Sequence, residues 1–123
     1  MANDFKRFQV NNVTTSTGAS GDAGYTVPAG AGSTALESIV IGITLSNTSS
    51  SGITGDVFLD GLSGTDTYIV KGASIPAGSS LEVMAGNKLV LQHNGSAGDV
   101  LRVTSGTASA LDATISVLED VYA

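Results

Sequence analysis

The chain has no cysteine and no tryptophan, only two prolines and a single histidine. Without cysteine neither a disulfide framework nor a thiolate metal site can form, so stability must come from apolar burial and backbone pairing, and assembly in a reducing compartment is expected. Six aromatic residues are present, Phe5, Phe8, Tyr25, Phe58, Tyr68 and Tyr122. They are too sparse, and too little accompanied by Lys or Arg, to form a stacking platform for nucleic acid. The missing tryptophan also counts against a sugar-binding cleft. Charge is scarce, at 13% of residues against roughly 25% in ordinary domains. Five basic residues against eleven acidic ones give a net charge of -6, which excludes a mechanism built on neutralising phosphates; no nucleic-acid partner is expected. No run approaches the roughly 20 apolar residues needed to cross a bilayer. The first eight residues lack the apolar stretch of about 7–15 residues that marks a signal peptide. No membrane partner and synthesis in the cytoplasm are therefore expected.

What remains is rich in Gly, Ser, Thr and Ala and is patterned with period two. In the segment from Leu36 to Asn47, positions Ile39, Ile41, Ile43 and Leu45 alternate with Val40, Gly42, Thr44 and Ser46. The spacing predicts a strand with the odd residues on one buried face and a small, partly polar opposite face. Similar patterns fall at residues 8–13, 53–59, 68–71, 81–84, 88–92, 100–104 and 113–121. Turn-forming clusters lie between them at 47–52, 60–64 and 94–98. About eight short strands at this spacing, with no helical period, predict an all-β fold: a single antiparallel β-sandwich or jelly-roll. A length of 123 residues and an apolar content of 41% allow one core and one domain.

Two segments, Tyr25-Thr-Val-Pro-Ala-Gly30 and Ala73-Ser-Ile-Pro-Ala-Gly78, read as strand ends turned by proline and completed by glycine. They could be equivalent corners of two packed sheets. The stretch from Asn11 to Gly24 is polar and glycine-rich, with almost nothing to bury. Residues 1–24 are accordingly expected to be an N-terminal arm and flexible polar loop, and residues 25–123 the sandwich domain.

No chemistry-bearing motif stands out. His93 sits beside a turn with no cysteine to pair with for nucleophilic catalysis or zinc binding, and a surface or turn position is expected. Asp56, Asp60 and Asp66 surround a glycine-rich loop and could in principle hold calcium. Their spacing matches no EF-hand, and turn chemistry explains Asp60 and Gly61 better. Glu37, Glu82, Asp99, Asp112, Glu119 and Asp120 offer carboxylate pairs without a distinctive motif, and solvated strand faces and ends are expected for them. The glycine-rich stretches lack the Lys-Ser/Thr ending of a phosphate loop. No catalytic residue, cofactor or metal ligand is assigned.

Six elements taken together resemble a class of small virion proteins of tailed bacteriophages, including phages of marine bacteria and cyanobacteria. They are Tyr25-Thr-Val-Pro-Ala-Gly30, Ile41-Gly-Ile-Thr-Leu-Ser-Asn47, Gly64-Thr-Asp-Thr-Tyr-Ile-Val-Lys71, Ile75-Pro-Ala-Gly-Ser-Ser-Leu81, Lys88-Leu-Val-Leu91 and Gly98-Asp-Val-Leu-Arg-Val103. The resemblance implies a β-sandwich structural component of a virion, with no catalytic residues to carry over. On this reading the chain is a capsid decoration or cement protein on the head surface, a homo-oligomer whose partners are the major capsid protein or other virion subunits. A neck, tail or fibre-associated subunit and an exterior receptor- or glycan-binding module remain the alternatives. Candidate interface residues are Phe5, Arg7, Phe8 and Val10 near the N-terminus, where apolar and basic side chains coincide, and Val117, Leu118, Val121 and Tyr122 near the C-terminus. Plain packing of a first and a last strand is the competing expectation for both segments.

Overall fold

The computed structural model describes residues 3–16, 21–27, 35–61, 66–84, 89–94 and 97–120, and within them every regular element is a strand. There are nine among the described residues: β1 (Asn3–Val10), β2 (Asp22–Thr26), β3 (Ala35–Asn47), β4 (Ile53–Asp60), β5 (Asp66–Ile75), β6 (Ser80–Glu82), β7 (Leu89–Asn94), β8 (Val100–Ser105) and β9 (Leu111–Asp120). All ladders are antiparallel. The strands form a five-stranded and a four-stranded sheet packed face to face, a β-sandwich.

The long strand β3 organises the five-stranded sheet. One edge of β3 pairs with β9 from Glu37 to Asn47; the other is shared, with β7 beside its first half and β6 beside Thr44 to Ser46. Strand β1 lies outside β9 and forms that sheet's edge. The four-stranded sheet runs in the order β2-β8-β4-β5. Between the sheets lies one core, in which Val40, Ile43, Leu45, Leu91, Ile115 and Val117 meet Val57, Ile75, Leu101 and Val103. Each such fully buried aliphatic side chain contributes roughly 1.5–3 kcal/mol of burial energy.

Strand β1 falls inside the stretch expected to be an arm. Residues 3–10 pair with β9 over eight positions, from Asn3 opposite Asp120 to Val10 opposite Ala113. The reason is the alternation of Phe8 and Val10 toward the core, which gives the segment an apolar face of its own. The polar stretch after it is also tied down where it is described. Val13 is fully buried, its N–H donates to the Leu111 carbonyl, and the Thr14 N–H donates to Asp22 Oδ2 at 2.8 Å. One apolar residue and satisfied backbone groups suffice to close that end of the sandwich.

The period-two reading of β3 is corrected by a bulge. Val40 stands opposite Val117 and Gly42 opposite Ser116, so Ile41 has no partner on β9. An extra residue exchanges the two faces of a strand. Before the bulge Ser38 and Val40 point into the core; after it Ile43, Leu45 and Asn47 do. Ile39 and Ile41, expected to be core, therefore turn outward.

The corner at Pro76 forms as expected: Gly78 takes a positive φ of 69° and the Ser79 N–H donates to the Pro76 carbonyl. Its counterpart at Pro28 to Gly30 lies outside the described residues. Val27 and Ile75, which precede the two corners, follow or end β2 and β5, the opposite edges of one sheet rather than points on two.

Candidate functional site

The acidic side chains named as possible metal ligands have separate structural duties. Asp56 Oδ1 accepts the Gly72 N–H at 2.5 Å and its Oδ2 accepts the Thr104 hydroxyl at 3.0 Å, holding the irregular stretch between β4 and β5. Gly72, at a φ of 66°, supplies the backbone conformation that this stretch requires. Asp60 pairs with Arg102 Nε at 2.9 Å, and Arg102 also donates to the Gly21 carbonyl. Asp66 is the ladder partner of Asp60 and is exposed. Among the described residues no three His, Asp or Glu side chains gather as a metal site would require. His93 is half-buried within β7, opposite Leu36.

Asp99 and Glu119, expected on solvated faces, are buried. Asp99 Oδ2 accepts the Gln92 N–H at 2.9 Å. Glu119 belongs to a network that joins the two sheets. The Tyr25 hydroxyl donates to Glu119 Oε2 at 2.7 Å, so the Ser38 hydroxyl, 2.9 Å from the same oxygen of Tyr25, donates to it. Lys6 Nζ approaches Glu119 Oε1 at 3.0 Å, and the Phe8 ring packs on Tyr25 with centroids 4.8 Å apart. Burial pushes the Tyr25 phenol well above its ordinary value, and the hydrogen bond and charge of Glu119 add to the rise while Ser38 opposes it. Among the described residues no buried side-chain nitrogen or oxygen lacks a partner. The network is closed and holds β2 against the five-stranded sheet.

The feature without an internal explanation is the outer surface of the five-stranded sheet. Directly opposed residues of antiparallel strands share a face. Phe5 of β1 stands opposite Leu118 of β9, Leu118 opposite Ile39 of β3, and Ile39 opposite Val90 of β7. Four strands thus carry one continuous apolar row on the solvent side. Its ends are open, with Phe5 78% and Val90 53% exposed, and Ile41, raised by the bulge, adds a further 39%-exposed side chain. Beside the row lies a shallow hollow of about 370 Å³ lined by Phe5, Lys6, Arg7, Ile41, Ser116 and Val117.

The two segments expected to form an interface are thus brought together, with their residues divided between two faces. Phe5, Arg7 and Leu118 face outward. Phe8 and Val10 pack against the core, and Val117 is fully buried within it. Val121 and Tyr122 lie outside the described residues. Ile39, Ile41 and Val90 were not expected on this surface. The Ile39–Ile41–Ile43 alternation concealed the bulge, and the register that sets Val90 beside Ile39 is a long-range property.

No protein-family model matches the chain, and no curated protein matches it in sequence.

Proposed function

We propose that this β-sandwich is a structural subunit of a tailed-phage particle, a decoration or cement protein bound over the assembled head. The observation that carries the reading is the uncovered row Phe5, Leu118, Ile39 and Val90 with Ile41 beside it. A sandwich working alone in water places polar residues on its outer faces; one that works docked keeps apolar ones there. The low charge and the Ser/Thr-rich remainder suit the same life, and the resemblance to phage virion proteins supplies the particle. The reading assigns no catalytic residue and no cofactor.

The mechanism is mass action. A subunit that binds the assembled lattice and not its free components stabilises the lattice, and symmetric repetition multiplies a modest interface. Quantitative mass spectrometry of purified particles, scaled to the major capsid protein, tests it. Hundreds of copies are expected. About a dozen or fewer would move the chain to a neck or tail ring, whose symmetry demands such numbers, and none would overturn the virion assignment.

A further inference from the structure

We infer that β1 is exchanged between copies: it leaves its own sandwich at a hinge formed by Asn11 and Asn12 and fills the slot beside β9 of a second copy. The inference stands apart from the particle assignment and reuses a contact the fold already contains.

The strand is detachable. It is an edge strand, paired with β9 alone. Among the described side chains the fully buried apolar core runs from Val13 to Val117 and takes none from β1; Phe8 and Val10 pack against it half-buried. Between Val10 and buried Val13 lie only Asn11 and Asn12, both exposed, and Asn12 turns the chain with a φ of 54°. Asn bears left-handed backbone better than most side chains, but still at a cost. A short, strained hinge favours the exchange of an identical element between copies, which straightens it.

The vacated slot selects what refills it. Glu119 is buried on β9, and its Oε1 lies 3.0 Å from Lys6 Nζ. Withdrawal of β1 strips that cation from a buried carboxylate, which is strongly destabilising. It also uncovers the Tyr25 ring on which Phe8 packs. A strand that repairs both needs a basic residue opposite Val117 and apolar residues opposite Ile115 and Ala113. Those are the register positions of Lys6, Phe8 and Val10, so β1 of another copy fits the slot in full.

Exchange brings the two hinges together, and with them the ends of the sandwiches that carry the hinges. The four connections at that end, residues 11–21, 48–52, 76–79 and 106–110, contain no charged residue. The carboxylates nearest to them, Asp22, Asp56, Glu82 and Asp112, each accept a hydrogen bond within the sandwich. Exposed Glu37 and Asp66 lie toward the opposite end. Two chains of net charge -6 thus approach by their least charged ends. Each slot's own strand competes at an effective concentration on the order of millimolar, so exchange fills where copies are crowded.

A chain without cysteine allows a direct test. Val10 and Ala113 are register partners on the inner side of the β1–β9 ladder. Opposed Cα atoms of such a pair lie about 4.5–5.5 Å apart, within disulfide reach. Ala113 is 1% exposed, so a thiol there meets another chain only through the slot. A Val10→Cys chain and an Ala113→Cys chain are refolded together from denaturant at about 1 mM and then oxidised. The expected product is a disulfide-linked heterodimer that melts cooperatively. Asn12→Pro in both chains should raise its yield about 5-fold or more, because proline cannot take the positive φ of the closed hinge. Asn12→Gly, which takes it freely, should not. Folded chains that give no heterodimer would overturn the inference, and a yield that Asn12→Pro does not raise would overturn the hinge.

Discussion

Both outer faces of the sandwich carry an aromatic residue, and they treat it in opposite ways. On the four-stranded sheet Phe58 has Arg102 of β8 on one side and Tyr68 of β5 on the other, and it is 0% exposed. The two rings lie 5.1 Å apart, Lys71 Nζ sits 4.8 Å from the Tyr68 centroid, and Arg102 is held by Asp60. Long amphipathic side chains thus cover the ring with their apolar stems and present charge to water. On the five-stranded sheet Phe5 has only β9 beside it, because β1 is an edge strand; its neighbours on the open face are Leu118 and Ser116 of β9 and Arg7 two residues along its own strand. With a strand on one side only, these leave the ring 78% exposed. An aromatic residue on an outer face becomes a docking feature when it is flanked on one side only and its neighbours do not close over it.

The contrast can be broken most strongly at Phe58. Phe58→Ala should cost about 3–5 kcal/mol in chemical denaturation, the usual cost of emptying a buried aromatic site. Phe5→Ala should cost less than about 0.5 kcal/mol; equal losses would erase the distinction between the faces.

Between the faces, Gly24→Ala should lose about 1–3 kcal/mol, because a methyl group there would run into Ile115 Cδ1 and come within 3.3 Å of the Leu101 carbonyl oxygen. A melting curve reads this directly.

Tyr25→Phe, which removes the donor to Glu119, should cost about 1–3 kcal/mol at neutral pH. It also has a pH signature. The phenol of the folded chain is raised, so the native state holds its proton where the unfolded chain, with an ordinary phenol near 10, releases it. The stability this contributes is complete below about pH 10 and is lost as pH rises above it. The wild type should therefore lose stability more steeply than Tyr25→Phe on the alkaline side, as denaturation midpoints across that range would record.

A small effect, still above that of Phe5→Ala, is expected at Arg102→Ala. The ion pair with Asp60 is half-buried and is worth about 1 kcal/mol. Its removal should also raise the exposure of Phe58, detectable as faster hydrogen exchange in β4.

The all-β class was legible because alternation and turn residues are local signals. So were the strands around Leu36 to Asn47 and Val100 to Thr104. Three features were not, and each depends on register. The bulge at Ile41 turns two isoleucines outward, yet in sequence they continue an unbroken alternation. Strand β1 lies within a stretch whose second half is almost entirely polar, and it becomes a strand by pairing with β9 more than a hundred residues away. Glu119 was expected on a solvated strand, and only the approach of Tyr25 from the other sheet explains its burial beside Ser38. For the candidate face, residue types pointed to Phe5, Arg7 and Leu118, while the row that joins them to Ile39 and Val90 exists only in the ladder.

The most direct test of the central claim, that this protein works through the open face of its five-stranded sheet, is the number of copies retained per purified particle when the Phe5→Glu/Val90→Glu chain replaces the wild type. The account predicts that the variant melts like the wild type and is nevertheless lost from the particle. A variant retained at the wild-type number would contradict it.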